Sequence, residues 1–159
     1  MEITLTPTHF AHSICSDASL TGYGGTYKNC YIQDCFPPSW SRHPIHILEL
    51  FPIYLLIHIF QTAFRNSSLR VQCDNQAIVH TLNNLTFKDP KIMTILRKIT
   101  LLLLKHNITL HAVHLPGKAN KLCDALSRQE ATGEMLRRHH MDVLPTPVPS
   151  SLRPHNWVL

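Results

Sequence analysis

Apolar positions fall into short alternating runs near the start of the chain and into longer periodic runs after residue 45. Residues 12–17 alternate well enough to predict a strand ending at Asp17. "SLTGYGGTYKN" carries Gly22, Gly24 and Gly25 and predicts a tight turn into a second strand near 23–28. Residues 30–36 predict a third strand, closing an antiparallel meander. "PPSWSRHP" reads as a loop.

A helix is expected from near Leu48, because Pro52 fits best in a first turn, where its missing N–H needs no partner. That reading puts Glu49 at or near the helix N-terminus. Ile53, Leu56, Phe60 and Ala63 mark one face, with Leu55 and Ile59 beside it, so the helix is apolar nearly all round and belongs in the centre of a core. Residues 69–73 predict a strand with Leu69, Val71 and Cys73 on one face. A helix over 75–84 follows, then the break "LTFKDP" and a clean amphipath over 91–105. Residues 108–115 read as a strand, "LPGKAN" as a loop and 120–128 as a last short helix. The order β-β-β-α-β-α-α-β-α argues for an α/β fold with a mixed sheet flanked by helices. The expected organisation is a lead-in at 1–11, one folded domain over 12–128, and a Pro-rich tail or linker over 129–159.

Composition adds a partner class. The formal net charge is +5 with twelve histidines uncounted, and the pI is near 9.1, which suits a polyanion. Five cysteines without CxxC spacing point to a reducing compartment, with Cys15 and Cys73 as small core residues. "MEITLTPTHF" has neither a basic nor an apolar leader region, so no signal peptide is expected, and no apolar run is long enough to span a membrane. An intracellular site, cytoplasmic or nuclear, is the expectation.

Acidic residues change the picture most. Only ten Asp and Glu occur in 159 residues, and four of them, Asp17, Glu49, Asp74 and Asp124, sit at the ends of apolar segments. Carboxylates gathered there are costly unless something positive lies between them. A pair of divalent cations is the obvious candidate, and phosphodiester chemistry the obvious use. Taken singly, each has a plainer reading: a turn residue for Asp17, a helix-dipole charge for Glu49, an N-cap for Asp74, a solvated helix residue for Asp124. Their order and contexts together favour a metal site.

Four stretches, "SDASLTGYGG", "HILELFPI", "VQCDNQAIVHTLNN" and "HLPGKANKLCDALSR", resemble the type 1 ribonuclease H domain of retroelements. The last is the most specific, with His114, Gly117, Asn120 and Asp124 in the family's order. "LELFPI" and "CDN" are most similar to the DIRS-type, tyrosine-recombinase retrotransposon polyproteins. The resemblance covers roughly 12–128 and implies a ribonuclease H-like fold, with a mixed five-stranded sheet of three antiparallel strands and then parallel additions. It implies an endonuclease that hydrolyses the RNA strand of RNA/DNA hybrids with two Mg2+ ions, Mn2+ substituting, beside an attached reverse transcriptase domain. Asp17 would bridge the metals, Glu49 and Asp74 would complete one site, and Asp124 would hold the metal that activates water. His114, on a mobile loop, would assist proton transfer or product release. Gln76 would read the RNA minor groove, with Asn75, Asn120 and Lys118 as further substrate contacts; Asn75 reads equally well as a helix cap. The short "LTFKDP" connection lacks the basic helix many relatives use to grip substrate, so weak hybrid affinity is expected of the domain alone. Two rivals stay open: another nuclease of this fold, of integrase, transposase or resolvase type, and a non-catalytic nucleic-acid-binding connector.

Overall fold

The computed structural model describes residues 10–157. The lead-in expected at 1–11 lies mostly outside the described residues. The meander forms as β1 (His12–Ala18), β2 (Gly22–Tyr27) and β3 (Cys30–Cys35). Helices α1 (Ile45–Ile59) and α2 (Gln61–Phe64) lead to β4 (Ser68–Cys73). Then come α3 (Gln76–Asn84), α4 (Pro90–His106), β5 (Thr109–His114), α5 (Lys121–Ser127) and α6 (Gly133–Arg138). The sheet order is β3-β2-β1-β4-β5. β1, β2 and β3 pair antiparallel, whereas β4 adds parallel to β1 and β5 parallel to β4. The mixed five-stranded α/β architecture expected from the element order is the one observed.

The start of α1 differs from the sequence expectation. The helix begins at Ile45 after Pro44, so Pro52 lies in its interior and Glu49 is its fifth residue rather than its N-terminus. An interior proline forfeits a backbone hydrogen bond and crowds the carbonyl four residues back. Burial outweighs that here, since every residue from Ile47 to Ile57 is buried. The cover comes from several directions. Ile14 and Val71 of the sheet, Ile78 and Leu82 of α3, and Ile95 and Ile99 of α4 share one core cluster with α1. Two glycines let helices close on both faces of β2. A Cβ on Gly25 would stand 2.7 Å from Leu56 of α1, and one on Gly24 would overlap Leu126 of α5.

The sheet edges are also covered. On β5, Asn83 of α3 donates to the Ala112 carbonyl at 2.9 Å and accepts from the Ala112 amide at 2.8 Å, standing in for a missing strand. Along β3, the amides of Asp142 and Thr146 donate to the carbonyls of Asn29 and Tyr31 at 2.8 and 2.7 Å. The segment after Gln129 thus returns over the β3 edge. Within it, Trp157 packs against Phe51, Tyr54 and Trp40, and Lys98 of α4 lies 5.1 Å from the Trp157 ring centre. No helix among the described residues is long and apolar enough to cross a membrane.

Candidate metal centre

β1 and β4 run side by side, with Cys15 opposite Gln72. Two residues further along the chain from each come Asp17, in β1, and Asp74, just past the end of β4, so parallel pairing brings them to the same edge. Glu49 reaches that edge from α1. One carboxylate oxygen from each of Asp17, Glu49 and Asp74 lies within 4.8 Å of the other two. Asp17 and Glu49 are 5% and 6% exposed, and Asp74 is half-buried.

Such a cluster resists ionisation. Burial, and then the charge of Asp74, push Asp17 up to about 7, with the Ser127 hydroxyl opposing. Burial, followed by the charges of Asp17 and Asp74, pushes Glu49 up to about 8. Glu49 Oε2 is buried without a hydrogen-bond partner. An orphaned carboxylate oxygen beside two more carboxylates is the donor set of a hard divalent cation. The atoms that the cluster offers are all carboxylate oxygens, of the kind a hard divalent cation takes.

Asp124 is not in that group of three. It lies within α5, where its Oδ1 accepts from Arg128 Nε at 3.1 Å, both side chains being about half exposed (48% and 56%). It is near enough for its charge to raise Asp17. His114 is the last residue of β5 rather than part of the following loop, because it pairs with Cys73. Its Nε2–H donates to the Asp74 carbonyl at 3.2 Å. In the turn beyond, Gly117 lies beside Asp74, a Cβ there falling 3.9 Å from Asp74 Oδ2.

The remaining candidates divide. Asn75, not Asp74, caps α3: its Oδ1 accepts from the amides of Ala77 and Ile78 at 3.0 and 3.2 Å. Asp74 is thereby left to the cluster. Gln76, the first residue of α3, and Lys118, in the turn Gly117–Ala119, are exposed near the same edge. Asn120 is buried and spends its amide inward on the Ser16 carbonyl at 3.2 Å, stapling α5 to β1. Ser127 and Arg128 fall in the matched stretch "HLPGKANKLCDALSR" but received no role from the sequence. Their spacing of three and four from Asp124 puts them one helical turn on, and that spacing was the available signal.

No protein-family model and no curated protein sequence matches the chain. Solved structures do. The chain superposes on LC11-RNase H1, solved in complex with an RNA/DNA hybrid, with a TM-score of 0.64 at 16% identity, over 74% of this chain and 94% of that one. RNase H1 from the archaeon Halobacterium salinarum NRC-1 matches at 0.62 and 15% identity, over 75% and 96%. A foamy viral protease-reverse transcriptase, also bound to a hybrid, matches at 0.55 and 14% identity, over 82% of this chain and 21% of that one. The chain has the ribonuclease H fold.

Proposed function

We propose that this chain is a divalent-metal-dependent endonuclease that cuts the RNA strand of RNA/DNA hybrids, working beside a reverse transcriptase in a retroelement polyprotein. The observation that carries the reading is the Asp17–Glu49–Asp74 cluster, three carboxylates gathered at one sheet edge in an acid-poor chain. The fold supports it, since two neighbours were solved on an RNA/DNA hybrid and one of those is a protease-reverse transcriptase. The DIRS-type stretches favour that kind of element, and reverse transcription would take place in the cytoplasm or nucleus.

Asp17, Glu49 and Asp74 would hold Mg2+ or Mn2+ through oxygen. Bound there, two such ions would neutralise charge on the scissile phosphate and make water nucleophilic at neutral pH. Asp124 is the fourth carboxylate; its side chain would exchange Arg128 for the second site. His114, with Nε2 tied to the Asp74 carbonyl, offers Nδ1 to take or give a proton. Gln76, Asn75 and Lys118 would meet the substrate along the rim, where the RNA 2′-hydroxyl separates RNA from DNA, whereas Asn120 acts from behind by holding α5. The products would carry 3′-hydroxyl and 5′-phosphate ends.

An end-labelled RNA/DNA hybrid incubated with Mg2+ or Mn2+ tests this, beside Asp74→Asn and an all-DNA duplex. RNA-strand cutting lost in the variant is the expected result. Cutting of the DNA duplex would shift the reading to an integrase- or transposase-type nuclease. Binding without cutting would mark a connector.

A further inference from the structure

Ser127, the last residue of α5, is fully buried, and its hydroxyl has two acceptors. Its Oγ lies 3.1 Å from Asp17 Oδ2 and 2.8 Å from the Asp124 carbonyl. Among the described residues it is the one side chain that hydrogen-bonds the Asp17 carboxylate. The bond to the Asp124 carbonyl, three residues back, is what any serine in a helix can make. The bond to Asp17 spans 110 residues of chain and exists only because α5 lies against β1. An ionised carboxylate is a stronger acceptor than a neutral carbonyl, so the single hydroxyl proton goes to Asp17 once that acid is charged.

We propose that Ser127 is a positioning residue for the metal centre: its hydroxyl fixes the plane of the Asp17 carboxylate and couples it to the helix that bears Asp124. The inference rests on the reading of Asp17, Glu49 and Asp74 as a cation site. Carboxylate torsions are broad, so an unheld Asp17 would present its oxygens to the centre in many orientations. Ser127 occupies one lone-pair site of Oδ2, and the carboxylate keeps its other sites for ligation. Groups that orient a ligand in this way carry a large share of metal affinity although they never touch the ion.

The variant Ser127→Ala removes one oxygen and improves helix propensity. Asn120 on the Ser16 carbonyl and Leu126 on Gly24 still hold α5 in place, so the fold should survive. Mn2+ binding to the whole chain, followed by electron paramagnetic resonance, reads the effect without any substrate. Asp17→Asn identifies the site, and thermal melting without metal reports the fold. Ser127→Ala should bind Mn2+ about 10-fold more weakly, while Ser127→Thr, which keeps the hydroxyl, should recover most of the loss. An Ala variant within about twofold of the parent would overturn the proposal, as would equal losses in Ala and Thr, which would point to packing. Hybrid cleavage run on the same samples separates the two readings. A parent that binds Mn2+ but leaves the hybrid intact fails as a nuclease, yet the Ser127 comparison still stands. A parent that binds no Mn2+ at Asp17 overturns both.

Discussion

Leu126 of α5 rests on the bare backbone of Gly24, the residue paired with Asp17 across β1 and β2. A side chain at Gly24 would occupy the place of Leu126, and the next residue, Ser127, would lose its approach to Asp17. Gly24→Ala should therefore destabilise the protein by about 1–3 kcal/mol and weaken metal binding as well. Gly133→Ala is the control, since a Cβ there meets nothing within 4 Å. Urea unfolding of both variants checks this, and equal midpoints would contradict it.

Glu49 titrates near 8 in the folded, metal-free protein and near its ordinary value in the unfolded chain. The folded state then binds more protons, so this group's contribution is complete at low pH and is lost as pH rises through the folded value. Glu49→Gln should raise stability at pH 8 by on the order of 4 kcal/mol and leave it nearly unchanged near pH 4. Melting temperature against pH in a chelator measures it. A parent no less stable at pH 8 than its variant would refute the assignment.

The same raised values give metal binding a pH dependence. Asp17 and Glu49, held up to about 7 and about 8, must lose protons before a cation can sit between them. Mn2+ should stabilise the protein more at pH 8 than at pH 6, and proton release on binding should be visible by calorimetry in buffers of different ionisation enthalpy. A thermal shift independent of pH would place the ion elsewhere.

Trp157 packs against Phe51 and Tyr54 of α1. Trp157→Ala should cost on the order of 2 kcal/mol, an effect absent if the C-terminal segment were a free tail. Denaturant midpoints decide between the two.

Asn83 holds the edge of β5 through both ends of its amide. Asn83→Ala leaves the Ala112 amide and carbonyl unpaired, with an expected loss of about 1–3 kcal/mol. Hydrogen exchange at Ala112 should accelerate more than at Val71, which lies in the interior strand β4. Unchanged exchange would mean the edge is secured by something else.

Much of this architecture was legible because its signals are local. Alternation located β1, β2, β3 and β4 to within about two residues, as strand periodicity allows. The amphipath over 91–105 became α4, and Asp89 and Pro90 mark its start as a cap and a first-turn proline. The start of α1 misled because Pro52 carries a strong local rule, and only the burial of the surrounding helix overrides it. The segment beyond Gln129 has the composition of a tail, and its hold on the β3 edge depends on carbonyls a hundred residues earlier.

Neighbours within a few residues encode the strands and the longer helices in their order, and they place Asp17 and Asp74 at the carboxyl ends of β1 and β4; Glu49 falls inside α1 and Asp124 inside α5. Which of the acids meet depends on how whole elements pack against one another. Parallel pairing of β1 with β4 set Asp17 beside Asp74, and the path of α1 beneath the sheet added Glu49. The turn of α5 sent the Asp124 carboxylate to Arg128 and the Ser127 hydroxyl to Asp17. Side-chain direction across segments far apart in the chain depends on packing between whole elements, and no local pattern encodes it.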